Sequence, residues 1–316
     1  MVNPIQDQKE LLAGNAFVVL DKKVLIVSGE ERLIWLNDIF SQKIIDLLPG
    51  KSQEALWLDV QGHVLRDIHL IDDGEQTYLI TFSKDFDDFV KALAKMIFRA
   101  KVKLEVMADV FVLGTFNQPI AQSLSWQDPW PNLAEGGYRY GQLTTSPWHY
   151  FESLVFSKPS DLNEVELTTI TALRIAAQRP AGPDEIDERS LPHEYDWLAT
   201  AVHLDKGCYR GQESVAKIHN LGAPPRKLVF LHLDGSGHLL PEAGSSIISE
   251  DAIGKITSVA NHFEMGPIAL GLVKRSSNAE QVFIQTATEN IAATVTEIVP
   301  SSAGGVVDLG DFRRKR

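Results

Sequence analysis

Two spacings of apolar residues alternate along the first half of the chain, one near two and one near three and a half. Residues 24–27 predict a strand that leads into a helix, with Ser28 and Glu31 at capping-box separation. Leu33, Leu36, Phe40, Ile44 and Leu47 recur at helical spacing until Pro49-Gly50 stops them. Residues 55–60 and 64–71 predict two strands joined at Gln61-Gly62, and Asp72-Asp73-Gly74 turns the chain into a third at 77–82. Phe86, Phe89, Val90, Leu93, Met96 and Ile97 then form an apolar stripe on a helix that Ser83 could cap. Residues 102–113 return as one long strand.

That order of strand, helix, strands, helix, strand predicts α+β layers of the split βαβ kind. The stretch 114–148 has no period; it holds Trp126, Trp130 and Trp148, either plugs of a core or surfaces for stacking a ligand. A third helix is predicted over 163–178, ended by Pro180, Gly182 and Pro183, and a short one near 194–201. From 227 onward the texture changes to short β-rich runs at 228–233, 246–249, 255–260, 268–274, 282–285 and 292–299. Short strands parted by turn residues predict a small all-β barrel or sandwich. Gly222-Ala223-Pro224-Pro225 marks the boundary, giving an α+β region at 1–225, a β-domain at 226–300 and a disordered tail at 301–316.

Composition narrows the chemistry. With 316 residues and 44% hydrophobic content the chain can build more than one packed core. Its single cysteine excludes a disulfide framework and a Cys-rich metal or iron–sulfur site, and no histidines stand at metal-binding spacing. There is no Gly-x-Gly-x-x-Gly and no P-loop, which argues against a nucleotide cofactor. No apolar run has membrane-spanning length and residues 1–10 carry no apolar signal core, so a cytoplasmic protein is expected. The net charge of −12 weighs against direct binding of nucleic acid. One segment departs from it: residues 206–227 carry Lys206, Arg210, Lys217, Arg226 and Lys227 against Glu213 alone. Such a segment either meets a small anion or pairs its charges elsewhere in the fold.

The lone cysteine lies in that segment, in Lys206-Gly207-Cys208-Tyr209-Arg210-Gly211-Gln212-Glu213. Neighbouring cations favour thiolate, so Lys206 and Arg210 are candidates to activate Cys208, while Gly207 and Gly211 permit a tight turn. The alternative is a buried cysteine acting as a small hydrophobe. Glu194, in Leu191-Pro192-His193-Glu194, could accept paired hydrogen bonds from an amidine-like donor, or could be an acid favoured at a helix N-terminus.

These residues resemble the folate-binding YgfZ family, whose mitochondrial members act in maturation of iron–sulfur proteins. The octapeptide fits the signature Lys-Gly-Cys-aromatic-x-Gly-Gln-Glu throughout, and the likeness continues through Val215-Ala216-Lys217, His219-Asn220-x-Gly222 and Arg226. Gln61-Gly62-His63-Val64, residues 98–102, Arg174-Ile175 to Pro180, Pro192-x-Glu194 and residues 254–258 fit further blocks, so the resemblance spans roughly 15–300. Three positions depart: Gln178 stands for Gly, His193 for Gln and His63 for Arg.

The resemblance implies a three-lobed arrangement like the glycine-cleavage T-protein, two intertwined α+β lobes followed by a C-terminal barrel. It implies a tetrahydrofolate-binding accessory protein for assembly or repair of iron–sulfur enzymes, with such enzymes or assembly proteins as clients and indirect effects on tRNA modification. Cys208 would be the working thiol, with Lys206, Tyr209, Arg210, Gln212 and Glu213 around it. Glu194 would anchor the pterin, Arg226 would meet the folate glutamate, and Gly207 and Gly211 would line the approach. The alternative is a folate-dependent aminomethyltransferase of the T-protein type. In that protein an aspartate follows a Val-Asn-Ala strand end; here the strand end is Ile80-Thr81-Phe82, followed by Asp85, Asp87 and Asp88, more simply an exposed helix start.

Overall fold

A computed structural model describes residues 3–142, 144, 147–236 and 240–305. The first strand, β1 (Ala16–Val19), and the second, β2 (Lys22–Ser28), belong to different five-stranded sheets. After β1 the chain builds the whole of the other sheet from β2, β3 (Ser52–Leu58), β4 (Val64–Asp72), β5 (Gln76–Phe82) and β6 (Lys103–Val106), in the order β3-β4-β5-β2-β6. It then returns with β7 (Phe111–Phe116) beside β1. β8 (Leu124–Gln127), β9 (Tyr150–Val155) and β10 (Asn163–Val165) complete the first sheet, in the order β10-β1-β7-β9-β8. The two lobes are thereby intertwined, as expected.

Period two decides which side chains enter which core. In β4, Ile68 and Leu70 face the helices α2 (Arg32–Ile39) and α3 (Phe86–Ala94), in a core with Leu25, Leu36, Phe40, Ala55, Leu79 and Phe89. The alternate residues Asp67, His69 and Ile71 point the other way, toward the first sheet. A second core fills that interlobe space with Leu56, Ile80, Trp126, Trp130, Trp148, Tyr150 and residues of α4 (Leu167–Ala176), while α1 (Pro4–Ala13) supplies Leu11. The three tryptophans of the aperiodic stretch are thus core plugs.

A closed barrel follows: β11 (Arg226–Leu233), β12 (Ser246–Ile248), β13 (Ala252–His262), β14 (Gly266–Lys274), β15 (Gln281–Gln285) and β16 (Asn290–Glu297), in the order β11-β14-β13-β12-β15-β16. Every β-rich run read from the second half of the sequence is one of its strands. The barrel has its own core of Val229, Leu231, Ile247, Ile256, Val273 and Ile284, and α4 lies against β13 and β14. The protein is therefore of the α+β class with a C-terminal β-barrel.

Several local expectations are corrected. The predicted strand 102–113 is two strands in two sheets, broken where Asp109 takes a left-handed φ of 54°. Glu31 does not complete a capping box; its carboxylate accepts from the Lys101 amide instead, and the helix ends at Ile39 rather than Leu47. α3 is preceded by Asp85 at φ 53°, without a side-chain cap from Ser83. The helix expected from 163 begins at 167, because residues 163–165 pair with β1 in parallel. The short helix near 194–201 is two 3-10 turns, Pro192–Tyr195 and Trp197–Ala199. Residues 301–305 are not a loose tail: Ala303 is buried and Ser301 Oγ bonds the Lys227 ammonium at 2.6 Å. The remainder of the expected disordered tail, 306–316, lies outside the described residues.

Candidate functional site

The octapeptide is half structure and half display. Lys206 is buried, and its ammonium donates to the carbonyls of Asn37, of Phe40 at 2.7 Å and of Gln42 at 2.9 Å. Those oxygens belong to the last turn of α2 and the chain leaving it, where no helical donor remains. Burial pushes the Lys206 pKa down to about 8. Lys206 is therefore committed to closing a helix end, which corrects its assignment as a base beside the thiol. Tyr209 is buried next to it, with the Lys206 ammonium 5.0 Å from the ring centroid. Gln212 closes the loop by donating from its amide to the Lys206 carbonyl at 3.0 Å.

Between these anchors Gly207 and Cys208 are exposed. The reading of Cys208 as a buried hydrophobe is thus excluded. A Cβ on Gly207 would meet nothing within 4 Å, so that glycine makes no close backbone approach here. Gly211 does. It sits at φ 84°, and a Cβ there would lie 2.5 Å from the Asp59 carbonyl and 2.9 Å from Gly62 Cα. The turn Asp59–Gly62 and the octapeptide, 150 residues apart, are packed backbone on backbone.

Gly211 also starts α5 (Gln212–Leu221), a helix absent from those predicted by periodicity. Glu213 stands exposed in its first turn, where the helix dipole favours an acid. α5 is fixed from below by His193, whose Nε2 lies 3.1 Å from the Val215 carbonyl and must carry the hydrogen. Burial holds the His193 pKa down at about 3, with His219 nearby adding to the effect, so the ring is neutral. A glutamine amide could make the same bond. Gln178 likewise occupies a position at φ 55°, where glycine is the least strained choice. His63 stays local, with Nδ1 2.9 Å from Asp59 Oδ2 in the turn.

Glu194 and Arg226 are brought together, though not toward a ligand. Arg226 donates from Nε to Glu194 Oε1 at 2.9 Å and from Nη2 to Oε2 at 2.8 Å, and Leu191 N donates to Oε2 at 3.1 Å. Asp187 takes the rest of the guanidinium, at 2.5 and 3.0 Å. Both carboxylate oxygens are engaged and Glu194 is fully buried, so in this structure Glu194 and Arg226, expected to anchor the pterin and to meet the folate glutamate, bind each other. The pair instead fastens the first strand of the barrel to the 187–194 loop. Lys227 is likewise spent internally, on Glu297 and Ser301. Of the five bases in 206–227, only Arg210 and Lys217 are left without a hydrogen-bond or ion-pair partner among the described residues.

The interlobe face of β4 forms a further site that sequence reasoning missed. A cavity of about 140 Å³ lies there, lined by Lys22, Asp67, His69, Tyr150, Glu152 and Arg179 among others. Glu152 accepts from Lys22 at 2.6 Å and lies 2.8 Å from His69 Nδ1; His69 stacks on Trp126 at 3.6 Å and 6°. Burial alone would raise the Glu152 pKa, but His69 and Lys22 hold it down at about 2. Arg179 donates to Glu54 at 2.6 Å and to Asp128 at 3.0 Å, while its Nη1 is buried without a partner. The available signal was polar residues at inward positions of apolar strands: Glu54 in β3, Asp67 and His69 in β4, Glu152 in β9.

Asp85, Asp87 and Asp88 are exposed at the start of α3, as expected; Asp88 pairs with Lys91 at 3.0 Å and Asp87 lies 3.9 Å from Lys23. Among the described residues no cluster of His, Cys, Asp and Glu could hold a metal ion. None of the described helices is long and apolar enough to cross a membrane.

Comparison with known proteins agrees with this architecture. Residues 226–300 match the family model of the glycine cleavage T-protein C-terminal barrel domain. Across the whole chain the fold is similar to the crystal structure of glycine cleavage system aminomethyltransferase T from Bartonella henselae. That likeness has a TM-score of 0.72 and covers 93% of this chain and 88% of that one, at 17% identity. The shared property is the fold. An Arabidopsis thaliana protein named "putative transferase, chloroplastic" is 30% identical over 132 residues. That stretch is 40% of this chain and only 28% of the plant protein. The class defined is a T-protein-like α+β protein with a T-protein C-terminal barrel.

Proposed function

We propose that this protein is a tetrahydrofolate-binding accessory factor for assembly or repair of iron–sulfur enzymes, with effects on tRNA modification that follow indirectly from its clients. One observation carries the proposal. The octapeptide spends Lys206, Tyr209, Gly211 and Gln212 on holding a loop whose tip leaves Cys208 in solvent. A fold that fixes a loop so firmly around its lone, exposed thiol is arranged to present that thiol to a partner.

The interlobe cavity supports the folate part of the reading. Its volume of about 140 Å³ suits a bicyclic ring, whereas complete drug-sized ligands occupy pockets of roughly 300–1,000 Å³. The cavity opens beside α4, where Leu167 and Asp184 on the lining are exposed. The donor set fits such a ring. Arg179 lies on the lining with its Nη1 buried and unpartnered, and among the described residues Asp67 accepts from Gly182 N alone, at 3.2 Å, keeping acceptor capacity for a ring amide or amine. Bound tetrahydrofolate would supply one-carbon carrying capacity at its ring-edge nitrogens. The chain's own residues would bind and orient the ring and keep water from it.

A second reading, a folate-dependent aminomethyltransferase, is favoured by the same Asp67 carboxylate, which could handle a proton at the ring edge. Formation of methylene-tetrahydrofolate from a methylamine donor would establish it. The accessory-factor reading is tested by Cys208→Ala in cells lacking the wild-type protein. Iron–sulfur enzyme activities should stay at the level of the deletion while tetrahydrofolate still binds the purified variant. Full rescue by that variant would remove the thiol from the mechanism.

A further inference from the structure

Next to the thiol loop the molecule leaves an apolar surface uncovered. Phe98 is 92% exposed and Val60 is 62% exposed, and with Trp57, Ala92 and Met96 they line a shallow groove of about 680 Å³. Isolated surface hydrophobes are ordinary, but a phenylalanine standing this free beside other apolar residues in one groove is a docking feature. Arg210 forms one edge of the groove, two residues from Cys208.

The charge of the rim selects the occupant. The protein as a whole is at −12, yet Lys91, Lys95 and Arg210 line this groove and Arg99 follows Phe98. Lys91 is paired with Asp88, the acidic residue of the lining. Lys95, Arg99 and Arg210 have no ion-pair partner among the described residues. Two unneutralised cations on the lining of an apolar groove, with Arg99 next in sequence to its Phe98, are complementary, on an otherwise acidic molecule, to an acidic segment bearing an apolar or aromatic anchor. A polynucleotide fits less well, because it would meet the surrounding negative field over a length far greater than the groove.

We infer that the groove between the Val60 turn and Phe98 docks an acidic, aromatic-anchored segment of a protein partner and so delivers that partner to the Cys208 loop. The anchor fills the floor against Phe98, Val60 and Met96. Carboxylates of the segment meet Lys95 and Arg210, which set the approach and its salt dependence. The inference does not depend on folate being the ligand of the interlobe cavity.

The test uses a fluorescein-labelled peptide with one tryptophan flanked by aspartates and glutamates, titrated with the full-length protein by fluorescence anisotropy. An isomer with lysines in place of the acids and a single-stranded RNA decamer are run beside it. The acidic peptide should bind saturably and at least tenfold more tightly than either comparator, and binding should weaken as salt is raised from 50 to 300 mM. Phe98→Ser and Lys95→Glu should each weaken it at least fivefold, while tetrahydrofolate binding in both variants stays at the wild-type level. Equal affinity for the acidic and basic peptides, preference for the RNA, or no binding at millimolar protein would overturn the inference. So would light scattering that finds a wild-type dimer converted to monomer by Phe98→Ser, since the face would then belong to a second copy of the chain.

Discussion

Gly211 and Gly62 touch backbone to backbone. A Cβ placed on Gly211 would stand 2.9 Å from Gly62 Cα, and one placed on Gly62 would stand 3.3 Å from the Gly211 carbonyl. The contact welds the start of α5 to the turn before β4, and it holds the octapeptide beside the sheet that carries β3 and β4. Gly211→Ala should therefore destabilise the protein by at least ~1–2 kcal/mol from the left-handed φ alone. Backbone displacement adds to that loss, since the added methyl has only main-chain atoms to push against. Urea unfolding measures the loss. Gly207→Ala, with open space around it, should sit within ~0.5 kcal/mol of wild type apart from the intrinsic glycine difference.

His193 should make the fold sensitive to acid. Its pKa is near 3 in the folded protein and near 6.5 in an unfolded chain. Between those values the unfolded chain binds a proton that the native protein refuses, so stability falls as the pH is lowered through that window. His193→Gln keeps a donor for the Val215 carbonyl and removes the titration. The two proteins should match within ~1 kcal/mol at pH 7.5. Below about pH 6 the variant should gain by up to ~1.4 kcal/mol per pH unit, read from urea midpoints across the range.

Glu152 has the same pH direction for a different reason. Its carboxyl, held at about 2 by His69 and Lys22 against burial, favours the charged form more strongly in the fold than in the unfolded chain. The stabilisation is complete above about pH 4.5 and disappears as the pH falls toward 2. Glu152→Gln leaves Lys22 and His69 without their acceptor in the interlobe space. The expected cost is about 3 kcal/mol at pH 7, shrinking below pH 4.5, with denaturant titrations at pH 7 and 3 as the check.

Much of the fold was legible because it rests on local periodicity. Every barrel strand is a β-rich run that its sequence announces, with clean alternation in β15, and β4 displays Ile68 and Leu70 to one core and Asp67 and His69 to the other. The breaks were not legible, since they depend on distant partners. Residues 163–165 pair with a strand about 150 residues upstream, and the polarity change at Asp109 sends one apparent strand into two sheets. The cysteine loop could be read from its motif, whereas the fates of its bases could not. Lys206 is claimed by carbonyls of residues 37–42, and Arg226 by Glu194 and Asp187, neither of which charge spacing can foretell. The interlobe cavity draws residues from three strands, one helix and the loops beside them, so no stretch of sequence contains it.

The central claim is that a folate ring sits between the lobes while the thiol loop works separately. Calorimetric titration with tetrahydrofolate, followed in parallel by the fluorescence of Trp148 on the cavity wall, tests it most directly. A single saturable site is expected for wild type, unchanged in Cys208→Ala and weakened about tenfold or more in Asp67→Asn, a loss of ~1.4 kcal/mol. The absence of both a heat signal and a fluorescence change from the wild-type protein at millimolar ligand would contradict the account.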